Sequence, residues 1–286
     1  MKKFIFITFL LLISLVGFFA YQKFKFDDGK LHIIFCNVGQ GDGIFIRSPK
    51  GIDIMVDSGP DDSILRCLSS HMPFWDREIE LAFLTHPHED HMKGYEHVFK
   101  RYKVLSFNTE ELSNKTLTYK AIINDIQNLK IKTRSVFQGD SFKLPDNLQI
   151  KVVGPSREFL NETSPHGEIG ESGEFGSLEL LFSYKSFSVL TTGDSQVREI
   201  LNAQPYLQNL TVFQIPHHGS RFGIDKENLI KLNPKLAVIS VGKNKYGHPT
   251  KEVLQDLEDS KINYLRTDKR GDIEIVVDSK GNYTLR

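Results

Sequence analysis

Between residues 85 and 91 the chain reads Thr85-His86-Pro87-His88-Glu89-Asp90-His91, three imidazoles and an aspartate within one short window. Neutral imidazole nitrogens and carboxylate oxygens are good ligands for zinc and similar divalent ions. In an extended segment His86 and His88 point the same way, because side chains alternate. Asp90 and His91 can then turn toward a neighbouring position at the start of the next helix, where a helix N-terminus also favours bound anions such as phosphate. A single loop histidine would be unremarkable, but three of the ten histidines share this window. Two later segments carry the same residue types, Thr191-Thr192-Gly193-Asp194 and Pro216-His217-His218-Gly219-Ser220, and His248 follows Gly247 in a third. Asp194 precedes a predicted helix and so also suits an N-cap. His248 reads equally as an ordinary loop histidine.

These residues need elements to hold them. Residues 80–84 (ELAFL) form a predicted buried strand that delivers the histidine cluster. Short strands rich in Ile, Phe and Val are expected at 31–36, 43–47 and 52–56, with Gly and Pro turns between them. Helices are expected at 61–71, where Asp61 and Asp62 suit an N-terminus, and at 92–101 and 116–128. Strands follow near 131–136 and 148–153. Residues 154–176, rich in Gly, Pro, Ser and Glu, are expected as a long surface loop. Strands at 177–184 and 187–192, a helix at 195–203 and a strand at 210–215 follow. Helix 225–232, strand 235–241, helix 250–258 and strands near 263–265, 272–277 and 281–285 complete an alternation that predicts a layered α/β domain.

Composition limits the function. Lys plus Arg and Asp plus Glu both number 36, so no global basic field recruits nucleic acid, and such binding needs a local patch. Cys36 and Cys67 are expected as two buried thiols, with a disulfide as the alternative that spacing alone cannot establish. Lys2 and Lys3 precede an apolar run from Phe4 to Ala20, about 17 residues, at the short end for a membrane span and long for a signal-peptide core. Phe18 is a poor fit to a cleavage site, which favours an uncleaved anchor over a secreted chain. Lys2 and Lys3 on the inner side favour an extracytoplasmic domain on a single-pass anchor, although Lys23 and Lys25 flank the far side. The expected organisation is anchor or signal 1–22, linker 23–30 and one folded domain 31–286.

The His86–His91 segment resembles the HxHxDH signature of the metallo-β-lactamase superfamily, whose fold is an αββα sandwich with one or two metal ions at one edge. The resemblance implies that His86 and His88 serve one metal site and that Asp90 and His91 serve a second. It implies that Asp57, in Val56-Asp57-Ser58-Gly59, supports a ligand from behind, and that Asp194 bridges the two ions. It also implies a late histidine ligand in Pro216–Ser220, His218 being favoured and His217 then facing substrate. A narrower resemblance, carried by NVGQGDG (37–43), TTGD, PHHGS, SVGKNKYGHP (240–249) and RTDKRGDI (266–273), is to the hydrolase domain of ComEC-type competence proteins. Three departures stand out. Asn37 replaces an aspartate common in that group, the superfamily's third histidine is replaced at Gly176-Ser177 with His166 nearby in the loop, and the multi-span DNA channel of full-length relatives is absent.

The resemblance implies a zinc- or manganese-dependent phosphodiesterase acting on DNA at the cell surface, in a competence-related role beside a DNA-uptake channel. Asp90, His217 and His248 would act on the substrate. Lys243, Lys245, Arg266, Lys269 and Arg270 supply either a local phosphate-binding patch or a solvated basic face. A surface phosphoesterase on a small or envelope ester uses the same residues. A non-catalytic metal-binding accessory is the reading that the missing histidine supports.

Overall fold

The computed structural model describes residues 2–207 and 210–286. Helix α1 (Lys2–Phe26) buries no residue and is long and apolar enough to cross a membrane. The segment expected as a linker is thus helical as far as Phe26, since residues 23–28 contain no glycine or proline. Strands β1 (Leu31–Phe35), β2 (Ile44–Arg47) and β3 (Asp53–Val56) form an antiparallel meander. Helix α2 (Ser63–His71) carries the chain to β4 (Glu78–Ile79) and then to β5 (Leu81–Leu84), which joins β3 in parallel. Helices α3 (Glu89–Met92) and α4 (Tyr95–Val98) replace the single helix expected over 92–101. Next come β6 (Lys103–Val104), which pairs with β4, then β7 (Ser106–Thr109), α5 (Leu117–Asn128) and β8 (Lys132–Ser135).

The second sheet begins with β9 (Ser141–Lys143) and β10 (Gln149–Gly154). The loop expected at 154–176 contains a helix, α6 (Arg157–Thr163), capped by Ser156 Oγ on Phe159 N and held by buried Phe159, Leu160 and Thr163. There follow β11 (Glu179–Tyr184), β12 (Phe187–Thr191), α7 (Val197–Ala203), β13 (Val212–Gln214), α8 (Lys226–Leu232), β14 (Leu236–Ile239), α9 (Lys251–Asp259), β15 (Tyr264–Arg266) and α10 (Thr267–Arg270). Strands β16 (Ile273–Val277) and β17 (Tyr283–Leu285) then return to the first sheet. The sheets run β17-β16-β1-β2-β3-β5-β7-β8 and β15-β14-β13-β12-β11-β10-β9.

Both faces of each sheet are covered, and strand alternation sorts the side chains. Leu31, Ile33 and Phe35 join Phe182, Val189, Val238 and Ile275 in the core between the sheets. Ile34 and Cys36, on the other face of the same strand, pack with Ile64 and Leu68 of α2 and Tyr95 of α4. On the far side Leu190, Phe213 and Ile239 pack against Ile200, Leu229 and Leu257 of α7, α8 and α9. Each such buried side chain contributes about 1.5–3 kcal/mol. Four layers, helix, sheet, sheet, helix, result.

The two cysteines are not free thiols as expected. Cys36, just past β1, and Cys67, on α2, form a disulfide that pins the helix to the sheet it covers. Helix α2 lies across the outer face of the first sheet, and its last residue, His71, pairs with Asp272 at 3.5 Å. It starts just past Pro60, which like the Asp90 carbonyl packs close to Gly41, and leads to the Pro73–Asp76 turn.

Candidate metal centre

Parallel strands end their hydrogen-bonding at one edge, so the loops that follow them converge there. The turn after β3 holds Asp57, the segment after β5 holds His86 to His91, and the turns after β12, β13 and β14 hold Asp194, His217-His218 and His248. Asp57 adopts a left-handed φ of 58°, and His217 and His218 adopt 52° and 55°. Such conformations are costly for non-glycine residues and persist where surrounding structure enforces them. At Gly193 (φ 50°) a β-carbon would sit 2.4 Å from Ser177 Oγ and 2.5 Å from Thr85 Oγ1, so only glycine lets the Asp194 turn close onto β5.

Asp57 is fully committed. It accepts from Thr85 N at 2.8 Å, Thr85 Oγ1 at 2.7 Å and His91 Nδ1 at 2.8 Å. That fixes the His91 ring with Nε2 toward the cleft. His218 is fixed in the same way, Nδ1 donating to Ser240 O at 3.0 Å. Asp194 then divides its two oxygens. Oδ1 lies 3.2 Å from His91 Nε2 and 3.5 Å from His218 Nε2, whereas Oδ2 lies 3.7 Å from His86 Nε2 and 3.6 Å from His217 Nε2. Asp90 Oδ2 is 3.4 Å from His218 Nε2 and 4.0 Å from His91 Nε2. His88 Nδ1 is 2.9 Å from His86 Nε2.

Six buried atoms here make no well-aligned hydrogen bond: His91 Nε2, His218 Nε2, Asp194 Oδ1, Asp42 Oδ1, His217 Nδ1 and His248 Nδ1. Unpaired buried polar groups are expensive and call for an explanation. The triads His86/His91/Asp194 and Asp90/His91/His218 each bring their donor atoms within 4.8 Å of one another. These donors fit a divalent cation, and the split Asp194 carboxylate fits two. The electrostatics agree. Burial opposes charge on His91, but Asp194, Asp57 and Asp90 outweigh it and hold its pKa well above the ordinary value. His218 is raised likewise, burial being outweighed by Asp194, Asp42 and Asp90. Burial would raise Asp194, yet His91, His218 and His217 hold it well below the carboxylate range. Burial and the neighbouring His91 lower both His86 and His88, which leaves them neutral donors.

The structure therefore brings His86, His88, Asp90, His91, Asp194, His217, His218 and His248 to one place, with Asp57 behind His91. Above them lies an open cleft of about 390 Å³ lined by, among others, Gln40, Asp90, Asn114, His217, Tyr246 and His248. His166 does not enter. It is 85% exposed and pairs with Glu171. Ser177 occupies the place of the missing histidine, its Oγ 3.4 Å from His86 Nδ1 and accepting from Asp194 N at 3.1 Å. Asp42 is a participant that sequence reasoning left without a role. It is buried, accepts from Gln214 Nε2 at 2.7 Å, and brings Oδ1 to 3.5 Å from His218 Nδ1. The Gly39–Gly43 turn around it was the available signal. Of the basic residues weighed as a phosphate patch or a solvated face, none lines the cleft. Arg266 is tied to Asp268 at 2.8 Å, Lys269 lies 3.8 Å from the same carboxylate, and Lys243 and Lys245 project from the Tyr246 loop at the rim.

The chain is 27% identical to ComE operon protein 3 of Bacillus subtilis over 276 residues, 87% of this chain and 33% of that protein. It is 23% identical to Recombination protein 2 of Haemophilus influenzae over 208 residues, 71% of this chain and 23% of that one. It thus spans a third or less of the curated relatives it matches. No family model matches it. Among solved structures it resembles CmlA, a diiron β-hydroxylase from Streptomyces venezuelae (TM-score 0.57, 14% identity, 87% of this chain and 54% of that one). It also resembles a protein of Parabacteroides distasonis described as a metal-dependent hydrolase (0.52, 16%, 85% and 95%) and zinc-bound PqqB of Methylobacterium extorquens (0.50, 12%, 84% and 87%). The fold is the metallo-β-lactamase αββα sandwich, and the sequence resembles the ComEC-type competence proteins.

Proposed function

We propose that this chain is a metal-dependent hydrolase that cleaves phosphodiesters, with DNA the favoured substrate, held by α1 at the cell membrane in a competence-related role. The observation that carries it is the convergence of buried ligand atoms that make no well-aligned hydrogen bond, His91 Nε2, His218 Nε2 and Asp194 Oδ1, with Asp90 on the floor of an open cleft. Asp90, His91, His218 and Asp194 would hold one zinc or manganese ion, and His86, His88 and the second Asp194 oxygen another. A divalent ion supplies Lewis acidity and brings the pKa of water toward about 7. The chain's own residues do the rest. Asp57 and the Ser240 carbonyl lock the His91 and His218 tautomers. His217 and His248, with ring centroids 5.6 Å apart on the cleft wall, are placed to bind a phosphate oxygen or protonate the leaving group. Tyr246, 64% exposed beside Lys245, offers a stacking face for an unpaired base. The Cys36–Cys67 disulfide supports an oxidising, extracytoplasmic setting.

One observation favours a second reading, a phosphoesterase on a small or envelope ester. Among the described residues that line the cleft there is no lysine or arginine, and Glu89, Asp90 and Asp194 are acidic. The full chain in detergent, stripped of metal and reloaded with Mn²⁺ or Zn²⁺, tests both beside His88→Ala and Asp90→Ala. DNA cleavage lost in both variants supports the nuclease. Cleavage of bis-(p-nitrophenyl) phosphate alone supports the second reading. Metal binding without hydrolysis of either overturns both and leaves a metal-binding accessory of an uptake channel.

A further inference from the structure

Where the domain meets α1, two adjacent aromatics are exposed. Phe74 and Trp75, each 43% exposed, sit in the Pro73–Asp76 turn at the end of α2, closed by Asp76 N donating to Pro73 O at 3.0 Å. They pack on the last apolar turns of α1. Trp75 stacks on Phe19 at 5.3 Å, and Phe74 lies 5.2 Å from Phe18 and 5.4 Å from Phe19. Polar contacts lock the joint just above. Phe74 N donates to Gln22 Oε1 at 3.4 Å, Lys25 Nζ to Ser70 O at 3.3 Å, and Arg47 Nε to Phe26 O at 3.3 Å.

The helix fixes where this joint stands. At about 1.5 Å per residue, the run Phe4–Ala20 covers about 25 Å, short of a hydrocarbon core of about 30 Å. Filling the core draws the exposed Tyr21 and Phe24 to the boundary and places Lys23 and Lys25 at headgroup level. Phe18 and Phe19 lie below that boundary, and the side chains stacked on them share their depth. Tryptophan is the aromatic that favours this zone, with its ring in the apolar margin and its N–H available to headgroups.

We propose that the Pro73–Asp76 turn is a membrane seat, in which Phe74 and Trp75 are immersed in the bilayer interface beside α1 and hold the domain at a fixed height and orientation. The inference rests on α1 spanning a membrane. The occupant is lipid, because the patch is continuous with the span itself.

Trp75 is the single tryptophan of the chain, so its fluorescence reports this site alone. The full chain is reconstituted into phosphatidylcholine–phosphatidylglycerol vesicles, floated, and measured with lipids brominated near the headgroup or near the chain ends. The seat predicts blue-shifted emission, strong quenching by the shallow bromines, weaker quenching by the deep ones, and little by aqueous iodide. Phe74→Ser should red-shift the emission and raise iodide quenching while flotation is retained. Vesicles that float with Trp75 open to iodide and untouched by bromine overturn the seat but leave the anchor standing. A chain that does not float overturns both.

Discussion

Glu179 offers a quantitative test of how the core beneath the site is built. It lies on β11 with no exposed surface, and burial pushes its carboxyl up to about 8 from an ordinary 4.5. Glu199 on α7 is also buried and raised well above its usual range, by burial first and then by Glu179. An acid whose folded pKa exceeds its unfolded value keeps its proton in the folded chain after the unfolded chain has released it. The stability it carries is therefore complete below pH 4.5 and is lost as the pH climbs toward 8. At about 1.4 kcal/mol per pKa unit, the loss by pH 8 is on the order of 4 kcal/mol. Glu179→Gln keeps the volume and removes the titration. In a domain of this size 1 kcal/mol moves Tm by about 2–4 °C, so the wild type should lose on the order of 10 °C more than the variant between pH 5 and pH 8. Thermal unfolding of the metal-free full chain in detergent, followed by circular dichroism across that range, reads the difference. Parallel pH profiles for the two proteins would refute the assignment of the buried charge to Glu179.

Other expectations follow from the same geometry. Asp57→Asn removes the charge that orients His91 and should weaken metal binding about 10–100-fold with the fold intact, measured by competition with a chromophoric chelator. His91 and His218 are held protonated by the carboxylates around them, so metal binding near neutral pH should expel about two protons, and calorimetry in two buffers of different ionisation enthalpy counts them. Gly94→Ala places a β-carbon 2.1 Å from the Ser58 carbonyl oxygen, in the backbone that supports Asp57, and should cost about 1–3 kcal/mol or more in denaturant titration. Cys36→Ser opens a cross-link between residues 31 apart and should cost about 3–4 kcal/mol, an effect that vanishes when both proteins are compared under reducing conditions.

The cluster from His86 to His91 was legible because its ligand types lie in one window directly behind an apolar strand, and strand–helix alternation gave the layers. What remained hidden depends on contacts distant in sequence. Strand β7 reads as polar, yet Asn108 donates to Ala82 O and Thr109 to Leu84 O, so its polar side chains are satisfied by the neighbouring strand inside the sheet. Asp42 gains meaning only when Gln214, 172 positions away, reaches it. Pairing of Cys36 with Cys67 follows from α2 crossing β1, which spacing does not encode. Helix α6 was masked by the glycines and prolines around it, although the Ser156 cap was present in the sequence.

Helix α2 has a consequence for what can be hydrolysed. Its first turn stands near the candidate metal centre, and the Pro73–Asp76 turn that carries the proposed seat follows its last turn. Nine residues of helix make a strut of about 14 Å, and the disulfide near its middle prevents it from sliding on the sheet. With the proposed seat in the bilayer, the cleft would stand at a constant height above the lipid. A headgroup ester would have to leave its leaflet to reach Asp90 and His218, whereas a strand crossing the periphery of the membrane meets them in passing. If the seat and the proposed hydrolase reading both hold, the anchor acts as a filter that admits soluble polymers and diffusing esters and keeps the supporting membrane out of reach.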